Sequence, residues 1–482
     1  MALERTYPDL TSEKDSLLLL LRDAIVQHAP HKDIEMILNA KNLCINGSIR
    51  RGLRPLHYAV FENDIESVRL IIEHGSDVNV LDEAGYSPLH LAAKYGFIDI
   101  IHMLVENACI VNFHKQDDLT VNLVKHYSDV LIEPLSLALE NSHIDCARYL
   151  LCSGADPNQQ YFLGYEINLL SYENLASLEL ILKHGANPDA LSRSGITPLI
   201  KACKEGNCSA VELLLKYSCN VNYVTRKFRQ RNAIVIAIES RRIDILEKLL
   251  LHAGFVNKHP SLNNSPLELA IRKDDVDIVR LLVGMYNTQT VFFETNDDIE
   301  CITPLILACQ CSNLKHQYEI IKCLLQNDAD PNRSVANSPH HHHQHVPYRT
   351  PLVSYIKHAQ RSDIRIIRLL ISYGAKISFS RGRDSVLRFL RRFQDNYHLI
   401  NLLCDAAYYF HPSYIAECLE LDDKTKNEIY NRAISPMTLK NTLRKVIRFE
   451  IINKKPTPRI EQTVKTLPIS VHLKNYLLFD AV

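Results

Sequence analysis

This chain lacks an excess of charge of either sign: Lys and Arg together number 55, as do Asp and Glu, among 482 residues. Such a balance provides no general attraction to nucleic acid or to an anionic membrane, and neither is expected as a partner. Long apolar runs are missing too. Leu17–Leu21 is a short run flanked by Asp15, Arg22 and Asp23; it follows no basic leader segment and is too short to span a bilayer. Catalytic signatures are also absent, with no Gly-x-Gly-x-x-Gly, P-loop, Gly-x-Ser-x-Gly or His-Glu-x-x-His. No catalytic residue and no cofactor are expected, and the chain reads as a non-enzyme. The insertions it carries are too short to build a catalytic pocket with a core of its own.

The 13 cysteines are odd in number and follow no disulfide rhythm. Cys146, Cys152, Cys203 and Cys323 lie in helical patterns and read as buried, reduced thiols in a cytoplasmic chain, with the nucleus also open to it. Cys203 with Cys208, and Cys309 with Cys311, lack further ligands at zinc-ribbon spacing. The run His340–His345 reads as a low-complexity loop, so no metal site is expected.

A tetrapeptide recurs. It appears as Arg54-Pro55-Leu56-His57, Ser87-Pro88-Leu89-His90 and Glu133-Pro134-Leu135-Ser136, then as Thr197-Pro198-Leu199-Ile200 and Ser265-Pro266-Leu267-Glu268. Thr303-Pro304-Leu305-Ile306 and Thr350-Pro351-Leu352-Val353 complete the series. Ser or Thr suits the cap of a helix, Pro its first turn, and Leu its core face. A second apolar helix follows in each unit, closed by Gly75, Gly154, Gly185 or Gly374 and then by a polar turn such as Asp156-Pro157-Asn158. Pro55 to Pro88 is 33 residues, while Pro55–Asn79, Pro88–Asn112, Pro134–Asn158 and Pro198–Asn222 are each 24 apart. This pattern resembles the ankyrin repeat over residues 50–380. The resemblance implies an all-α ankyrin-repeat solenoid of about nine to ten repeats.

Some units are degenerate. The segment from Ile167 to Asp189 is shortened, and Leu169-Leu170 is expected to take its core positions. Residues 1–48 read as an N-terminal cap and 49–404 as the array, with loop insertions near 113–132, 288–300 and 334–348. A helical linker over 405–434 then leads to a C-terminal module, 435–482. His57 and His90 are expected to hydrogen-bond between repeats. The stretch Arg226, Lys227, Phe228, Arg229 and Arg231 follows Asn222 on a projecting turn. It is a candidate for binding an acidic or phosphorylated segment of a protein substrate, or else a solvated basic loop.

The C-terminal module reads Ser435-Pro436-Met437-Thr438-Leu439, with Leu443 and Ile447 continuing a stripe at i, i+4, i+8. Ser435-Pro436 offers a helix cap and a first-turn proline. A short amphipathic helix needs neighbours or a partner's groove to cover its apolar face. Downstream come Leu467-Pro468 and Leu473-Lys474-Asn475-Tyr476-Leu477-Leu478. These residues resemble a SOCS box, and with the repeats they resemble the ankyrin repeat and SOCS box family of ubiquitin-ligase substrate receptors.

The resemblance implies that Leu439, Leu443 and Ile447 dock on Elongin C, which carries Elongin B. It implies that Leu467, Pro468 and Ile469 face a cullin-5 type scaffold with its RING subunit, and that Leu473, Tyr476, Leu477 and Leu478 pack the box. The array would then hold an unidentified protein substrate. Leu443 stands where that family usually has cysteine, and Ser470 where it has a second proline. The latter keeps a cullin-2 type receptor open beside cullin-5. A plain ankyrin scaffold or adaptor, ending in an ordinary capping helix, is the other alternative.

Overall fold

The computed structural model describes residues 13–113, 132–161, 163–225, 231–253, 265–285, 303–333, 350–359, 363–380, 385–393, 395–418, 421–435, 438–453 and 460–478. Insertions 288–300 and 334–348, the His340–His345 run and nearly all of 113–132 therefore lie outside the described residues. The chain packs as two compact units, 1–233 and 234–482. Among the described residues, each is built mainly from helix pairs, with a few short strands.

In the first unit the tetrapeptides open their helices as their chemistry predicts. Pro88–Tyr95 starts behind Ser87, whose Oγ accepts from His90 N–H at 3.3 Å. Thr197 Oγ1 does the same for Ile200 N–H at 3.3 Å ahead of Pro198–Glu205. Arg54 and Glu133 stand in the cap position without capping. Instead, the Arg54 guanidinium donates to Leu81 O at 2.8 Å, and the Glu133 carboxylate accepts from Phe113 N–H at 3.0 Å. Second helices are capped in turn, as Asp64 does for Ile65–Glu73 through Ser67 N–H at 3.1 Å. Leu56, Leu89, Leu135 and Leu199 are all buried, and the helices following theirs bury Val68, Ile71, Ile100 and Leu104.

Two sets of polar side chains tie one repeat to the next. His57 Nδ1 accepts from Arg54 N–H at 3.3 Å, so its Nε2 carries the proton and donates to Tyr86 O at 3.2 Å. His90 repeats this with Ser87 N–H at 3.1 Å and Ile132 O at 2.9 Å. The second set lies on the polar turns. Asp156 Oδ1 accepts from Asn158 N–H at 2.9 Å and shapes its own turn, while Asn158 reaches into the following one. Its Nδ2 donates to Gly185 O at 2.9 Å and its Oδ1 accepts from Asn187 N–H at 2.7 Å. Asn112 makes the same pair with Gly154 O at 2.8 Å and Asp156 N–H at 2.9 Å. Gly154 and Gly185 adopt φ of 95° and 88°, a left-handed conformation open to glycine, and this aims their carbonyls at the incoming amides.

The shortened repeat corrects one expectation. Leu170 takes a core position as expected, but Leu169 does not: it is exposed, and Ile167 is buried instead. The helix Glu166–Leu169 is a single turn, in which Glu166, Ile167 and Asn168 occupy the slots of Pro, Leu and His. Asn168 Oδ1 accepts from Tyr165 N–H at 3.0 Å and its Nδ2 donates to Ala190 O at 3.0 Å, matching what His90 does. An antiparallel hairpin, Gln160–Tyr161 with Gly164–Tyr165, replaces the helix turns that are missing. Lys201 Nζ donates to Asn168 O at 2.9 Å and Leu170 O at 2.7 Å, capping the short turn.

Among the described residues the second unit carries four further pairs, from Ala233–Glu239 with Ile243–Ala253 to Pro351–His358 with Ile364–Ser372. A final pair follows, a 3-10 turn Leu387–Phe393 and the helix Tyr397–Ala406. Asn332 ties its repeat to the next through Gly374 O at 2.9 Å and Lys376 N–H at 2.7 Å. The segment after Ala406 is not a free tether. Tyr409–Phe410 pairs in parallel with Ser378–Phe379, stacking Phe410 on Phe379 with centroids 5.1 Å apart. Helix Asp423–Ile434 is held by Arg432, which donates to Asp405 Oδ1 and Asn401 Oδ1, both at 2.8 Å.

Of the cysteines expected in the core, Cys146, Cys203 and Cys323 are buried, and burial pushes the Cys203 thiol up to about 12. Cys152 is exposed instead, because it ends its helix and falls on the outer side of the last turn. Cys309 is buried, whereas Cys208 and Cys311 are only partly covered.

Two outcomes test this account. Asn158→Ala removes both inter-turn bonds and is expected to destabilise the first unit by about 1 kcal/mol, read as a lower urea midpoint. Asn158→Asp keeps the acceptor and should lose less. The second concerns His57, whose imidazole burial holds below its ordinary value of 6.5. The native state then binds this proton less readily than the unfolded chain. Its contribution is therefore complete above pH 6.5 and fades as pH falls below it. Urea midpoints from pH 7.5 to 5 should fall more steeply for the native chain than for His57→Asn.

Candidate functional site

The helix Leu439–Asn453 is the first element of the C-terminal module. Its start departs from the sequence expectation. Ser435 closes the preceding helix, its N–H donating to Asn431 O at 2.9 Å, and Thr438 begins the new one by accepting from Thr442 N–H at 3.0 Å. Two helices meeting this closely leave Ser435 to end the first, so it cannot also cap the second.

Among the described side chains of this helix, two arginines are buried and two apolar residues are exposed. At 100° per residue, Arg444 and Arg448 share one face, and Leu443 and Val446 share another. The arginines lie inside and these two apolar side chains outside: Arg448 is 5% exposed, whereas Leu443 is 52% and Val446 53% exposed. The side chain of Leu439 lies outside the described residues. Ile447 turns toward the module's own small core and packs against Val464, Leu477 and Leu478. The outward stripe of described residues is thus Leu443 with Val446. Val446 was missed from the sequence, although its i+3 spacing from Leu443 is the signal that finds it.

Arg448 explains how the helix is held. Its Nη1 donates to Leu477 O at 2.7 Å and its Nη2 to Ile371 O, the latter in the last turn of Ile364–Ser372. The carbonyls of a helix C-terminus carry partial negative charge and spare acceptor capacity, and the guanidinium bridges two of them, Ile371 O also accepting from Gly374 N–H at 2.9 Å. Burial pushes this guanidinium down to about 10, which leaves it charged at neutral pH. Arg444 lies over the Tyr476 ring with its guanidinium carbon 3.4 Å from the centroid, and Lys445 Nζ sits 5.6 Å from the Phe410 centroid.

The rest of the module follows from this anchor. Leu477 and Leu478 are buried, Leu473 and Tyr476 half-buried. Leu467 and Ile469 pack partly on the same small core, while Pro468 is exposed between them. Ser470, in place of the second proline, caps Val471–Leu478 by accepting from Leu473 N–H at 3.3 Å. Of the basic stretch after Asn222, only Arg231 is described; Arg226, Lys227, Phe228 and Arg229 are not. Arg231 closes the base of that loop: its N–H donates to Thr225 Oγ1 at 3.1 Å and its carbonyl accepts from Thr225 N–H at 2.9 Å.

Among the described residues, no three or more His, Cys, Asp or Glu side chains gather as a metal site would require. Nor is any described helix long and apolar enough to cross a membrane.

Comparison with known proteins bears on the repeats. The family model described as ankyrin repeats in three copies matches residues 24–117, 56–161 and 168–259, and a single ankyrin repeat matches 301–334. Together these cover more than half of the chain, which belongs to the ankyrin-repeat proteins. The ankyrin repeat and KH domain-containing protein mask-1 of Caenorhabditis elegans is 27% identical over 45% of this chain and 8% of its own length. Mouse ankyrin repeat and SOCS box protein 14 is 27% identical over 36% of this chain and 29% of its own. The chain thus spans less than a third of either relative. The crystal structure of the human ASB11 ankyrin repeat domain aligns at 21% identity with a TM-score of 0.39, over 49% of this chain and 98% of that one.

Replacing Arg448 by Met keeps the volume but removes the guanidinium bonds to the Leu477 and Ile371 carbonyls. About 1–3 kcal/mol of local stability should be lost. Hydrogen exchange is expected to accelerate over 460–478 while the repeats of the first unit keep their protection.

Proposed function

We propose that the chain is a non-catalytic substrate receptor of an Elongin B/C–cullin–RING ubiquitin ligase. The ankyrin array holds a protein target, and the C-terminal module recruits the ligase. The observation that carries this reading is the placement of side chains on the Leu439–Asn453 helix. A helix that merely closed the array would bury its apolar face and leave its arginines in water. This one buries Arg444 and Arg448 and presents Leu443 and Val446 to solvent. A surface of this kind is suited to insertion in another protein's apolar groove.

The likeness to a relative named for ankyrin repeats and a SOCS box supports the same reading, as does the order of Leu439, Leu467-Pro468 and the Leu-Lys-x-Tyr-Leu-Leu ending. On it, Leu439, Leu443 and Val446 enter Elongin C, while Ile447 belongs to the module's core. Exposed Pro468 and its neighbours Leu467 and Ile469 face the cullin. The protein's part in ubiquitin transfer is proximity, raising the effective concentration of target lysines near a charged conjugating enzyme. Docking that fixes Asp423–Ile434 and Arg448 in place favours that task, because a stiff arm spends less binding free energy on ordering.

Affinity purification of the full chain, with identification of bound proteins, tests the reading. Elongin B and C should co-purify with a cullin of the cullin-5 type. Leu443→Asp adds a carboxylate at an exposed position, so the fold should be unchanged. Elongin affinity should fall by roughly 2–4 kcal/mol, through a lost anchor and a charge left unpaired in the groove. Recovery of no Elongin by the native chain would leave an ankyrin adaptor, and recovery of cullin-2 would move the receptor to the other ligase class.

A further inference from the structure

The first unit contains a cavity of about 900 Å³ between the Pro134–Glu140 repeat and the shortened repeat after it. Its character differs from the general neutrality of the chain. Glu140, Glu166 and Glu173 line it, and no Lys, Arg or His does so among the described residues. Leu163, at the hairpin, and Leu169 line it as well, 60% and 41% exposed. The site therefore joins an apolar wall open to solvent with carboxylates at its rim and depth.

Glu166 is the deep group. It occupies the slot that proline fills in the regular repeats, yet it is 1% exposed. Its Oε2 accepts from Ser136 Oγ at 2.5 Å, and the same hydroxyl lies 2.8 Å from Tyr161 OH. Burial pushes this carboxyl above its ordinary range, and the charges of Glu133 and Glu140 push the same way. The ionised form of an acid is unfavourable at this depth. A cation arriving in the cavity would relieve that cost. Of the common side chains, those of arginine and lysine combine a long apolar stem with a cationic tip, and both parts have a counterpart here.

We propose that this cavity receives one arginine or lysine side chain from a segment of the bound target. The stem lies on Leu163 and Leu169, and the tip points between Glu140 and Glu173 toward Glu166. This rests on the reading that the repeats hold a target protein, and it is independent of ligase recruitment.

The test uses the full chain and four fluorescent hexapeptides of sequence Gly-Ser-Leu-X-Ser-Gly, with X as arginine, lysine, glutamine or glutamate, titrated by anisotropy. The arginine and lysine peptides should bind roughly tenfold more tightly than the glutamine peptide, and the difference should shrink as salt rises. The double variant Glu140→Gln/Glu173→Gln changes only exposed groups, so its thermal unfolding should be native while most of the preference disappears. Glu166→Gln keeps an acceptor for Ser136 and should remove the remainder. No binding of the basic peptides, equal binding of the arginine and glutamine peptides, or a preference that survives the double variant would overturn the assignment. No ligase subunit takes part, so failure here and failure to capture Elongin are separate results.

Discussion

In the first unit an amide or carboxylate side chain on one polar turn ends in the backbone of the next, and the stacking of the repeats depends on that contact. Asn46, Asn79, Asn112, Asn158 and Asp189 each accept a backbone N–H from the following turn. A solenoid is stabilised chiefly between neighbours, so a bond recurring at each junction sets the spacing along the unit. The buried histidines do the same work on the other side of the first helices. Where the shortened repeat loses both its proline and its histidine, Asn168 still supplies the acceptor and the donor. The bonding pattern outlasts the residues that usually make it.

Departures from the repeat pattern are where side chains become available for other work. Proline in the first turn of a helix is chemically inert. Glutamate in that slot brings an ionisable carboxyl into the interior, while the one-turn helix leaves Leu169 outside. A hairpin fills the missing length, and the resulting hollow carries both an apolar and an acidic surface. The regularity on either side gives it stiff walls.

At the other end of the chain, an unusual placement of charge does the positioning. Arginine can be buried when its donors meet carbonyls, and two helix C-termini supply them for Arg448. With that face turned inward, Leu443 and Val446 on another face of the same helix are left to solvent. The linker contributes through the parallel pairing of Tyr409–Phe410 and the Arg432 contacts. These keep the module docked on the final repeats of its own unit.

The amino-acid sequence by itself determined the repeat class, its caps and its glycine turns. Each of these is local, set by residue chemistry within a few positions, and spacing along the chain reveals it. The inter-repeat role of His57 and His90 was legible for the same reason, since each sits at a fixed phase of the repeat. Tertiary structure alone decided which face of the Leu439–Asn453 helix is covered. Periodicity joined Leu443 to Ile447, but the small core formed with Val464, Leu477 and Leu478 drew Ile447 inward and left Val446 in its place outside. It also decided that Ile167 rather than Leu169 fills the shortened repeat, because the register of a one-turn helix is set by its neighbours. Burial depends on what lies opposite a residue in space, and partners such as Ile371 for Arg448 are far away along the chain.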